Sequence, residues 1–139
     1  MGLACTVVRI FTTAGDTFKK LGAQAYAGDA LAGIVRCFLV QKNLDAARVK
    51  GEQLWDYLTN SSSAGMEFPA FAYQTCAEAF TLLDEPFKAR QSTETGYSIL
   101  MEQAVKISDP AWRNSFLGNV PENRRLVDMW NRLAATKLQ

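Results

Sequence analysis

Apolar residues recur every three or four positions along most of the chain. Leu31, Ile34, Val35, Phe38 and Leu39 do so in one stretch, then Leu54, Tyr57 and Leu58 in the next. That spacing puts them on one face of a helix and leaves the polar residues between them to water. Alternation with a period of two is confined to Cys5–Phe11, a run that fits a helix equally well. Pro69 and Pro86 stand where first-turn prolines belong, since a helix start has no use for that N–H. Asp109-Pro110 reads as an N-cap followed by a first-turn proline, and Asn119-Val120-Pro121-Glu122 as a capping box. The pattern predicts helices over about 4–12, 17–41, 44–59, 69–83, 86–107, 110–118 and 121–136. Tight turns are expected at Lys42-Asn43 and at Asp84-Glu85, with a flexible loop at Asn60–Gly65. The fold class is all-α.

A shift of 42 residues aligns the chain with itself. Ala30 falls on Ala72, Phe38 on Phe80, Ala47 on Ala89, Arg48 on Arg90, Glu52 on Glu94 and Leu58 on Leu100. Trp55 falls on Tyr97 and Val35 on Ala77, so size is kept at apolar positions through two helices in the same order. Self-similarity of this period marks an array of antiparallel helix pairs, each burying its apolar face against the next. The spacing decomposes into a unit of about 34 residues and an insertion from Ser61 to Phe68. Small residues at Ala47, Ala77, Ala89 and Gly96 suit close helix approach, with Phe38 and Phe80 filling the space between. An indole at Ala89 is therefore expected to be rejected.

Two such units, about 28–61 and 70–103, resemble tetratricopeptide repeats (TPR). Phe38 and Phe80 match the aromatic position of the first helix, with Ile34 and Cys76 four residues before. Val35 and Ala77 take its small position, Ala47 and Ala89 that of the second helix, and Tyr73 the large residue opening the first. The chain departs from the pattern where Leu31 and Val35 replace Trp and Gly, and where Gly51 and Thr93 stand at a large position. The stretch Ile107–Arg124 is similar to the ends of TPR regions in bacterial signal-transduction ATPases and transcriptional regulators. The resemblance implies a single domain over residues 1–139: a right-handed superhelix closed by capping helices at about 110–136, with 1–16 given no place in the array.

It also implies a concave groove lined by the first helix of each pair. Carried over by position, the groove residues are Asp29, Ala32, Arg36 and Leu39 in one unit, and Phe71, Gln74, Glu78 and Thr81 in the other. Mixed polar and apolar contacts of this kind suit an extended peptide or a partner helix. Arg36 and Glu78 occupy equivalent positions and are equally suited to bridging each other. A groove that clamps a C-terminal carboxylate needs several Lys and Asn, which this one lacks.

Composition narrows the chemistry. With 48% hydrophobic and 21% charged residues the chain is ordinary globular material, and no apolar stretch of membrane-spanning length occurs. There is no His, which removes the usual general base and the usual metal ligand together. Cys5, Cys37 and Cys76 complete neither a zinc site nor a disulfide framework, and reduced thiols point to the cytoplasm. Cys37 and Cys76 sit on apolar faces as packing residues, phosphate-binding glycine loops are absent, and Asp84-Glu85 read as a cap for the helix at Pro86. No catalytic residue, metal or cofactor is expected. The opening Met1-Gly2-Leu3-Ala4-Cys5-Thr6 fits a loose acylation pattern that is short and common by chance, and no membrane partner is expected.

The net charge of +1 hides an uneven distribution: 7 basic and 5 acidic residues over 1–60, 3 and 7 over 61–109, 5 and 2 over 110–139. Most of these belong to solvated helix faces, and the basic C-terminal segment carries no nucleic-acid motif. Trp112, Phe116, Leu117, Leu126, Met129, Trp130 and Leu133 have helical spacing and are expected to close the open end of the array. The reading is a non-catalytic protein–protein interaction module. Its rivals are a self-assembling piece that joins copies of the chain, and a small-ligand sensor with a pocket lined by Trp55, Phe71 and Tyr73.

Overall fold

The computed structural model describes residues 2–20, 24–61 and 65–138. Seven helices follow one another among these residues, with no strand: α1 (Gly2–Lys20), α2 (Gln24–Val40), α3 (Leu44–Asn60), α4 (Pro69–Leu82), α5 (Pro86–Val105), α6 (Pro110–Gly118) and α7 (Pro121–Lys137). From α3 onward each begins within a residue of its expected start, because a proline or an Asn marks it. The N-terminal division differs. Residues 13–16, expected between helices, lie inside α1, where Gly15 sits at ordinary contact distance from Ala30 of α2 (3.7 Å to an added Cβ).

Two helical hairpins, α2–α3 and α4–α5, have the same turn. Asn43 N–H donates to the Phe38 carbonyl (3.0 Å) and Lys42 N–H to that of Leu39 (3.0 Å). In the second turn Glu85 N–H donates to Phe80 (2.8 Å) and Asp84 N–H to Thr81 (3.3 Å). Lys42 and Asp84 both adopt φ 57°, the left-handed residue that closes a helix C-terminus and lets the next helix fold back. Asn43 caps α3 by accepting from Ala46 N–H (3.2 Å), whereas Glu85 precedes Pro86 without a side-chain capping bond, so the acidic pair Asp84-Glu85 does not cap α5.

Asp109 caps α6 as expected, its Oδ1 accepting from Ala111 and Trp112 N–H (2.8 and 3.1 Å). The capping box does not form. Asn119 is the C-terminal cap of α6, its amide donating to Ser115 Oγ (2.9 Å), and Val120 precedes α7.

The core lies where α2, α3, α4 and α5 converge. Phe80, Leu54, Val35, Cys76, Ala47, Ala72 and Ala77 are fully enclosed there. α4 is the central element and touches α2, α3, α5 and α7. A second cluster, Ala70, Leu100 and Leu126, joins α4, α5 and α7, with Phe116 and Leu117 of α6 against it. Gly96 makes this junction possible, since an added Cβ would stand 2.6 Å from Tyr73 Cβ and 3.2 Å from Leu126. The C-terminal stripe thus divides: Leu126 is fully buried and Trp130 partly so, while Trp112 is 74% exposed and not part of the core.

The segment read as a flexible insertion is anchored at its end. Met66 is buried in the core, and Asp29 accepts hydrogen bonds from the backbone N–H groups of Glu67 (3.1 Å) and Phe68 (3.3 Å). Ser62 and Ser63 fall outside the described residues. No helix among the described residues is long and apolar enough to cross a membrane.

Candidate functional site

α2, α4 and α7 are successive neighbours, and they bring together part of the expected groove set. Arg36 of α2 is its centre. One guanidinium nitrogen donates to Glu78 Oε2 (2.6 Å) and the other to Gln74 Oε1, with Thr75 Oγ1 at 3.4 Å. Gln74 in turn donates its amide to the same Glu78 Oε2 (2.7 Å), so that three side chains from two helices close a ring of bonds. Phe71 lies beneath Arg36, its ring centroid 5.9 Å from the guanidinium carbon. Arg36 and Glu78 therefore bind each other.

The electrostatics follow from that geometry. Burial pushes the Glu78 carboxyl up, but the hydrogen bond and charge of Arg36, the Gln74 amide and the charge of Arg125 together hold it below its ordinary value. α7 thus joins the face through Arg125, a residue outside the expected groove set. Its signal in the sequence was the cluster of basic residues on the last helix. A cleft of about 400 Å³ runs between Gln74, Glu78, Thr81 and Leu82 on α4 and Arg125, Asp128, Met129 and Arg132 on α7.

The remaining expected groove residues are placed differently. Ala32, Leu39 and Gln74 are buried, so none offers a free surface, and Gln74 acts by holding Arg36 and Glu78. Asp29 is engaged with the backbone before α4. Thr81 is exposed at the cleft, with its hydroxyl donating to the Ala77 carbonyl (2.7 Å). The physical reason is register: α2 and α4 meet through the very faces that an isolated hairpin would leave open. Of the three residues named for a sensor pocket, Tyr73 is buried in the core and Trp55 stands edge-on to Phe80 (5.8 Å, 83°), while Phe71 packs at the core's margin beneath Arg36.

A second opening lies beyond the cleft, between the α4–α5 turn and the last turns of α7. It measures about 370 Å³, and Thr81, Met129 and Arg132 line both spaces. Ala89, expected to press against a neighbouring helix, is buried in the core and also borders this opening. Burial pushes the thiol of Cys76 well up and that of Cys37 up, which disfavours the thiolate at both.

No protein-family model, no curated protein and no solved structure matches the chain.

Proposed function

We propose that the chain is a non-catalytic interaction module, a TPR-like array that receives a peptide or partner helix along the face shared by α2, α4 and α7. The observation that carries this reading is the cleft beside the Arg36–Gln74–Glu78 ring. Gln74 and Glu78, bonded to each other and to Arg36, line one side of it, and exposed charged residues of α7 form its far wall. Fixed polar groups beside an open cleft recognise a segment at little ordering cost. Supporting the non-catalytic part, burial tunes Cys37 and Cys76 away from nucleophilicity and the chain has no His. The resemblance to TPR regions of bacterial regulators makes a cytoplasmic signalling protein the natural setting.

The test is a charge exchange on the exposed wall. Arg125→Glu with Asp128→Lys keeps net charge, and its melting temperature is to match the wild type. A partner captured by the wild type is purified and titrated against both proteins. The reading expects at least about a tenfold loss of affinity in the exchange variant. Equal affinity places recognition elsewhere, and mass that rises with concentration in place of a captured partner favours self-assembly.

A further inference from the structure

A third opening, of about 450 Å³, lies between the start of α4, the link from α5 to α6 and the start of α7, and shares no lining residue with the α4–α7 cleft. Phe68, Phe71 and Phe116 line it with three aromatic rings, and Ile107 and Val120 stand beside them. Phe68 is 56% exposed, an unusual place for a phenylalanine that packs against nothing. Side-chain bonds to the backbone fix the edges of this groove. Asp29 accepts from the Phe68 N–H (3.3 Å), Arg113 donates to the Ile107 carbonyl (3.0 and 2.7 Å), and the buried Asn123 donates to the Phe116 carbonyl (2.9 Å). The groove is formed before anything enters it, so little ordering remains for a ligand to bring about.

Its charge is of one sign. Glu67 and Glu122 are the charged residues that line it, and neither forms an ion pair among the described residues. The neighbouring cations are committed elsewhere: Arg113 to the Ile107 carbonyl, and Arg36, over the Phe71 ring, to Glu78. At the two seams of the molecule a ring and a glutamate are joined by a lysine, Lys88 between Phe80 and Glu52, and Lys137 between Trp130 and Glu94. In this groove rings and glutamates stand together, and no cation of the described residues lies over Phe68 or Phe116.

We propose that the groove docks a basic segment of a partner protein, with an apolar side chain among the phenylalanines and a neighbouring lysine or arginine against Glu67 and Glu122. The apolar side chain sets depth, while cation–π contact and charge select a basic neighbour over an acidic one. A nucleic-acid backbone or an anionic membrane would meet two unpaired carboxylates and be repelled. This surface is additional to the α4–α7 cleft and does not depend on it.

The probe is a short, capped, fluorescein-labelled peptide of alternating lysine and leucine, titrated into the intact protein by anisotropy and amide NMR. Its counterpart carries glutamate in place of lysine. Saturable binding of the basic peptide below about 1 mM is expected, with shifts at Phe68, Ile107 and Phe116 and none from the acidic peptide. Glu67→Gln with Glu122→Gln weakens it at least about fivefold, and Phe68→Ser, at an exposed position the fold can spare, also weakens it. Asp45→Asn, an exposed acid outside the groove, leaves it unchanged. If the double glutamine variant does not fold, Phe68→Ser and the acidic peptide decide. Absence of saturation, equal binding of the acidic peptide, or equal weakening by Asp45→Asn overturns the proposal. So does self-association that Phe68→Ser abolishes, which would give the groove to a second copy of the chain. The Arg125 and Asp128 exchange leaves this groove intact, so the two readings fail separately.

Discussion

Trp55 of α3 meets Phe80 of α4 edge-on, and Lys88 lies over the Phe80 ring (5.2 Å) while binding Glu52 (2.7 Å). Forty-two residues on, Tyr97 of α5 lies flat against Trp130 of α7 (4.6 Å, 8°), and Lys137 lies over Trp130 (5.9 Å) while reaching Glu94 (3.4 Å). The two seams use the same parts: an aromatic pair, a lysine over the second ring, and a glutamate at the equivalent position of the supporting helix. α7 therefore meets α5 much as α4 meets α3. The difference is in closure. Phe80 is fully enclosed and the following turn is pinned by Arg48, whereas Trp130 is partly exposed and the slot beside α7 stays open. The first seam is closed on all sides, and the second leaves an opening beside it.

The largest contrast is expected from the aromatics. Phe80→Ala removes a fully buried ring and its edge contact, costing about 3–5 kcal/mol. Trp130→Ala removes a half-exposed stack and costs about 1–2 kcal/mol. Chemical denaturation of both variants checks the difference, and equal losses would erase the distinction between the seams.

The glycines of the two supporting helices sharpen it. Gly96→Ala forces a Cβ against Tyr73 and Leu126 and is expected to cost about 1–3 kcal/mol. Gly51→Ala meets nothing within 4 Å and should raise stability by about 0.5–1 kcal/mol, because alanine loses less backbone freedom in a helix. Opposite signs in two thermal melts are the expected outcome.

A smaller effect concerns acid. The folded Glu78 carboxyl titrates below its ordinary value of 4.5, so the folded state binds this proton less tightly than the unfolded chain. Its stabilising contribution is complete above that ordinary value and is lost as pH falls through the lower folded value. Wild type and Glu78→Gln should differ in melting temperature at about pH 6 and converge toward about pH 3. A difference that grows on acidification contradicts the ring around Arg36. Smallest of all, replacing Ser61–Gly65 with another flexible sequence should change stability by less than about 0.5 kcal/mol, provided Met66 and the Asp29 tether are kept.

Much of this architecture is written locally. Pro69, Pro86, Pro110 and Pro121 mark helix starts because a first-turn proline has no N–H to waste, and apolar periodicity marks the faces between. Where a signal depended on tertiary contact the sequence was silent or misleading. Residues 13–16 are expected between helices, yet α1 runs through them, with Gly15 against Ala30. Lys42 and Asp84 take the left-handed conformation that glycine would advertise. For the site, pairing of Arg36 with Glu78 follows from equivalent repeat positions and is open to inspection in the sequence. The burial of Leu39 and Gln74, and the arrival of Arg125 on the same face, depend on how α2, α4 and α7 dock, which no spacing encodes.

The contrast between a closed seam and an open one is read at two alanines 42 residues apart, Ala47 with no exposed surface and Ala89 buried but bordering the slot. The deciding measurement is the unfolding free energy of Ala47→Trp and Ala89→Trp side by side. An indole at Ala47 has no room on any side and should cost more than about 2 kcal/mol, while one at Ala89, buried but bordering the slot, should cost clearly less. Equal, severe losses would mean that the second seam is as closed as the first.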